Sequence, residues 1–179
     1  MTSNDSTQRF VDSGDGVRIA VYEEGNPDGP TVVLLHGWPD SHVLWDGVVP
    51  LLADRFRIIR YDNRGAGKSS VPKGVSAYSM ARFSDDFAAI IDAMAPGQPV
   101  HVLAHDWGSI GMWEYLRRPG ACDRVASFTS VSGPGAGDGG HGPSGRPAAR
   151  APVPRARPCS RYSSPERGRG RTSLADRAS

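Results

Sequence analysis

Short aliphatic runs interleaved with helical stripes constrain this chain more than any other feature. The runs are TVVLL (31–35), FRIIRY (56–61), PVHVLA (99–104) and RVASFTSVSG (124–133). Segments this short and this rich in β-branched residues suit strands buried on both faces. Between them Met80, Phe83, Phe87, Ile90, Ile91 and Met94 recur at spacings of three and four, one face of a helix. Pro72 and Gly74 precede that stripe, and Pro96-Gly97 end it. WGSIGMWEYLRR (107–118) reads as another helix, stopped by Pro119-Gly120. A weaker stripe of Val43, Leu44, Val48, Leu51 and Leu52 is interrupted by Gly47 and Pro50. Ahead of all these, RFVDS and VRIAVYEE flank GDG and predict a β-hairpin. The alternation predicts βαβ units: an α/β protein of about six strands, mostly parallel, with flanking helices.

The pattern stops near Pro134. The last 46 residues contain 9 Arg, 8 Gly, 7 Pro and 7 Ala, with few large apolar side chains. Such a segment buries too little surface to offset its ordering entropy, so residues 134–179 are expected to form a disordered tail. Charge divides at the same place. Residues 1–133 balance at −4 and the tail at +6. The acidic part gives no reason to invoke nucleic acid or a membrane surface. Cys122 and Cys159 make no disulfide framework, and no run approaches the roughly 20 apolar residues of a membrane span. A polar start, MTSNDSTQRF, lacks the apolar core of a signal peptide. The expectation is a cytoplasmic protein without metal or cofactor.

The chemistry concentrates in LAHDWGSIG (103–111). A strand ends there and a helix begins, the layout of a nucleophile elbow. The apex is Asp106, with Ala104 and Gly108 small enough for the turn to close tightly. The helix start favours an ionised carboxylate, through unpaired N–H groups and a partial positive charge. A carboxylate so placed can attack an electrophilic sp³ carbon and form an enzyme ester. The plainer alternative is that Asp106 merely caps the helix. A second motif, HGWPD (36–40), follows a central strand. Its loop can aim the Trp38 N–H at the same point as the Trp107 N–H, forming an oxyanion hole. Trp38-Pro39 is a candidate cis peptide.

Together LLHGWPDS, YDNRGAGKSS and LAHDWGSIGMWEYL resemble the α/β-hydrolase family, specifically its epoxide hydrolase branch. The resemblance covers about residues 8–133. More narrowly, the chain resembles the N-terminal part of the hydrolase domain in actinobacterial fusions of epoxide hydrolase and short-chain dehydrogenase. It implies Asp106 as nucleophile, Trp38 and Trp107 as backbone oxyanion-hole donors, and His36, Gly37 and Pro39 as the residues shaping that loop. It also implies a small-molecule epoxide substrate. Haloalkane dehalogenases share HDWG but normally carry Asn where this chain has Trp38. Esterases and lipases place Ser at the apex. Gly-Lys-Ser at 67–69 is no phosphate loop, because the required earlier glycine is Asp62. It belongs instead to the family's Arg-Gly-x-Gly-x-Ser loop, anchored by Arg64. His105 is expected to point away from the site, His101 to be packed or at a strand edge, and His42 to lie on a helix surface.

In this fold the acid and the histidine of the triad follow the nucleophile along the chain. After Asp106 the histidine is His141, and the later acids are Glu114, Asp123, Asp138, Glu166 and Asp176. None follows a strand that would bring it beside Asp106. The family's lid and last strands have no counterpart either. The expectation is an incomplete, inactive hydrolase core. Ala, Arg, Gly and Pro enrichment further predicts that residues from about 135 are an out-of-frame continuation. The alternative is a genuine basic tail that binds RNA through charge and guanidinium stacking.

Overall fold

The structure, a computed structural model, describes residues 6–133. The expected disordered tail, with its out-of-frame and RNA-binding readings, lies outside the described residues. Six strands form one sheet: β1 (Thr7–Asp12), β2 (Arg18–Gly25), β3 (Thr31–Leu35), β4 (Arg57–Tyr61), β5 (Val100–His105) and β6 (Val125–Val131). Their order is β1-β2-β4-β3-β5-β6. The expected hairpin joins β1 to β2, and β2 runs antiparallel to β4. From β4 through β3 and β5 to β6 all pairs are parallel. The chain steps from β3 outward to β4, then returns past β3 to place β5 on its other side. That reversal opens a crevice at the carboxyl ends of β3 and β5, where α/β sheets commonly bind ligands.

Strand periodicity divides the side chains between two faces. On one face Ile19, Val21, Val33, Leu35, Ile59, Tyr61, Val100 and Val102 pack against α2 (Met80–Met94) and α3 (Trp107–Leu116). Phe87, Ile90, Ile91 and Met94 are the buried stripe that the spacing of α2 predicts. The other face carries a smaller cluster of Val32, Leu34, Ile58, Trp45 and Val49.

The weak stripe after residue 42 does not become one helix. It splits into a 3-10 turn, His42–Trp45, and the four-residue α1, Val49–Leu52. Val43 and Leu51 are exposed, so the stripe buries only part of its apolar side chains. Gly47 between the pieces and Pro50 in the first turn of α1 account for the break. A short helix, α4 (Ala121–Arg124), was not foreseen; it joins the Pro119-Gly120 stop to β6. Among the described residues β6 is a sheet edge with mostly exposed side chains.

Candidate active site

Asp106 stands where β5 ends and α3 begins, with φ +51° and ψ −117°. A non-glycine residue adopts positive φ at a cost, and such outliers cluster at functional sites. Surrounding contacts enforce the turn. The Asp106 N–H donates to Val131 O at 3.0 Å, and Ile110 N–H donates to Asp106 O at 3.2 Å. Ala104 is fully buried, and its carbonyl accepts from Ser109 Oγ at 2.8 Å. A Cβ at Gly108 would meet His36 O at 2.7 Å, so α3 can start this close to β3 only with glycine there.

The Asp106 side chain makes no capping hydrogen bond to its own helix. Its Oδ1 instead accepts the Trp38 N–H at 3.0 Å, across 68 residues of sequence. This removes the plain capping reading. Gly37 makes the approach possible, because a Cβ there would collide with the Asp106 side chain. Of the two expected donors, Trp38 N–H reaches the carboxylate; Trp107 N–H makes no such bond here. The Trp38-Pro39 peptide is cis, as its sequence allows.

His36 is buried and shapes the loop through three polar contacts. Its Nε2 accepts the Asn63 N–H at 2.9 Å, which requires the ring proton on Nδ1. Nδ1 then donates to Gly37 O at 2.8 Å. Asn63 Nδ2 donates to His36 O at 2.8 Å. Burial pushes the His36 pKa below its ordinary value of 6.5, which favours this neutral ring.

Arg64 anchors its loop as the motif implied. The guanidinium reaches both carboxylate oxygens of Asp86 on α2, at 2.7 and 2.6 Å. It also donates to Asp15 in the hairpin turn, at 2.8 Å. Its hydrogen bond and charge hold the Asp15 carboxyl below its ordinary value.

A cavity of about 340 Å³ opens beside the elbow. Trp38, Tyr78, Phe83 and Trp107 give it an aromatic lining. Phe83 meets Trp107 edge to face at 6.2 Å, and Trp38 is 72% exposed at the rim. Asn63 and Phe83 were not singled out from the sequence as site residues. Asn63 follows a strand within a named loop, a usable signal; Phe83 looks identical to any core position of α2.

The other histidines do not join Asp106. His101 Nδ1 pairs with Ser127 Oγ at 2.8 Å on the sheet. His105 is half-buried, and its Nδ1 is buried without a hydrogen-bond partner. His42 departs from the surface position expected for it. Its side chain is only 19% exposed, and its ring nitrogen lies 2.7 Å from Asp62 Oδ1. No group of three or more potential metal ligands occurs among the described residues. No helix among them is long and apolar enough to cross a membrane.

The sequence model for the alpha/beta hydrolase fold matches residues 30–153. The chain belongs to the α/β-hydrolase fold family. Its sheet order is that of the α/β-hydrolase fold. Among its relatives is a Mycobacterium tuberculosis protein named "Probable oxidoreductase EphD", 77% identical over 134 residues. That match covers 75% of this chain and 23% of EphD. Epoxide hydrolase A of the same organism is 36% identical over 129 residues, covering 72% of this chain and 39% of the relative. Among solved structures, an epoxide hydrolase from Vigna radiata aligns with a TM-score of 0.65 at 29% identity. That alignment covers 72% of this chain and 40% of the plant enzyme. The chain thus spans about a quarter to two fifths of the length of these relatives.

Proposed function

We propose that Asp106 is the nucleophile of an epoxide hydrolase reaction on a small-molecule epoxide. The observation that carries this reading is the Asp106 carboxylate at an elbow apex, held by Trp38 N–H instead of capping its helix. With Oδ1 engaged by that N–H, Oδ2 is the oxygen left to attack. It forms a bond to an epoxide carbon as the ring C–O bond breaks, giving an alkyl ester and an alkoxide that takes a proton from solvent water. In the complete reaction, water loses a proton and adds to the ester carbonyl, and collapse of the adduct breaks the C–O bond, releasing the diol and the Asp106 carboxylate. The oxyanion of that adduct develops on Oδ1, where Trp38 N–H is already placed, with Trp107 N–H as the second donor. His36, Gly37 and Pro39 set the loop that carries Trp38. Epoxide hydrolase A and the Vigna radiata enzyme support the reaction class by their names.

The 179-residue chain is proposed to carry out the alkylation half alone. Among the described residues no histidine bonds to Asp106: the rings of His36, His42 and His101 have other partners, and His105 Nδ1 is buried without one. General acid–base help is typically worth about 10²–10⁴-fold for each role. The ester should therefore persist. Incubation with a reactive epoxide should give one adduct, mapped by mass spectrometry to the peptide holding Asp106. Asp106→Asn should abolish it. Adduct at another residue, or many turnovers per chain, would reject the reading. Halide release from a chloroalkane without epoxide opening would move the chemistry to the dehalogenase type.

A further inference from the structure

The loop that carries Trp38 is pinned at both ends by two consecutive residues. At its start, Asn63 holds His36 through backbone and side chain. At its end, Asp62 holds His42. Asp62 Oδ1 accepts the His42 N–H at 2.9 Å and the His42 Nδ1–H at 2.7 Å. Its Oδ2 accepts the Tyr22 hydroxyl at 3.0 Å and the Lys68 N–H at 2.9 Å. The carboxylate is fully buried, with two donors on each oxygen. Burial works to raise the Asp62 pKa, yet the His42 and Lys68 N–H groups and the His42 ring bring it below its ordinary value. The His42 ring also stacks on Tyr22, with centroids 3.7 Å apart, and Arg60 Nη1 donates to His42 O at 3.0 Å.

We infer that the Asp62–His42 pair is a positioning clamp for the loop 36–42, fixing where the Trp38 N–H points. Little apolar burial could do this work. Trp38 is exposed, Pro39 and Asp40 are at most half-buried, and the well-buried members of the segment are Gly37 and His36. Gly67 completes the arrangement, since a Cβ there would run into the Asp62 carboxylate. The inference concerns the loop's geometry; only its activity readout rests on the proposed function.

Amide hydrogen exchange of the full chain, resolved by mass spectrometry, tests the clamp. His42→Ala should speed exchange across residues 37–42 by about 10- to 100-fold, the loss of one hydrogen bond to a charged group, with α2 unchanged. Asp62→Asn should do more. His42→Asn should restore protection, because the asparagine amide nitrogen sits on Cγ as Nδ1 does. Alkylation of Asp106 by a reactive epoxide should slow in His42→Ala. A wild-type chain that takes no adduct would end the proposed function while leaving the exchange result to decide the clamp. Unchanged exchange in the loop, equal acceleration in α2, or no recovery with His42→Asn would overturn it.

Discussion

The two faces of the sheet are held by different physics. Under α2 and α3 the contacts are overwhelmingly apolar, from Val11 and Ile19 through Phe87 and Ile90 to Met112 and Val125. On the opposite face five buried apolar residues form the cluster, and beside them lies a polar network. Arg60 Nε meets Glu24 at 2.5 Å, and its Nη1 meets Asp46 at 2.5 Å and the His42 carbonyl. Asp62, Tyr22 and His42 continue that network toward the site. Asp106 is supplied by the first face, through β5 and α3. Trp38 is supplied by the loop that leads into the second. The candidate site thus joins a nucleophile set by packing to a donor set by hydrogen bonds.

The apolar face also holds a buried ion pair, which offers the strongest challenge to this division. Arg64 and Asp86 form an ion pair with side chains 0% and 1% exposed. Asp86→Ala leaves a buried guanidinium with Asp15 as its remaining carboxylate partner. It should cost about 3–5 kcal/mol, as breaking a buried pair generally does. Urea unfolding reads this directly; a loss below about 1 kcal/mol would show that Asp15 and solvent satisfy Arg64 unaided.

Gly37→Ala attacks the junction between the faces. The added methyl collides with the Asp106 side chain, so the loop must retreat. Alkylation of Asp106 should fall about 10²-fold, the scale of a misplacement near 1 Å. Global stability should change little, because the loop contributes little to either core. A normal adduct rate would mean that the Trp38–Asp106 approach is irrelevant to the chemistry.

Paired truncations sharpen the contrast itself. Ile90→Ala, in the large core, should cost about 2–5 kcal/mol. Val49→Ala, in the small one, should cost about 1–2 kcal/mol, near the transfer value of two methylenes. Equal losses would mean that the faces are packed alike.

The smallest effect expected is one of pH. His36 is neutral when folded, and burial lowers its pKa below 6.5. The unfolded chain therefore binds the extra proton first. His36's contribution to stability is complete above about pH 6.5 and is lost as pH falls toward the lowered value. Protonating Nε2 would also set it against the Asn63 N–H. Urea midpoints at pH 7.5 and 5.5 should differ more for the wild type than for His36→Gln. Identical differences would exclude His36 as the titrating group.

Much of the fold was legible because it follows period and punctuation. TVVLL is β3 residue for residue, and the apolar spacing from Met80 to Met94 is α2. The elbow was legible because a strand, a small residue, Asp106 and a glycine can hardly be arranged otherwise. The stripe from Val43 to Leu52 was legible as an imperfect helix, because Gly47 and Pro50 interrupt a marginal apolar face, but how it splits was not, and α4 is too short to show a period. His42 was unreadable for a different reason. Its partner, Asp62, lies 20 residues away on another strand's end, and no local pattern distinguishes a clamped histidine from a solvated one.

The sequence by itself determined which segments are strands and helices, and which residue stands at the apex between β5 and α3. Those outcomes depend on backbone propensity and side-chain period, which neighbouring residues supply. Tertiary structure alone decided that the Trp38 N–H bonds Asp106 Oδ1 while the Trp107 N–H does not, and that Asp62 and Asn63 hold the two ends of the Trp38 loop. Such hydrogen bonds depend on distance and angle between groups that the parallel crossovers bring together. Only the assembled sheet sets those distances.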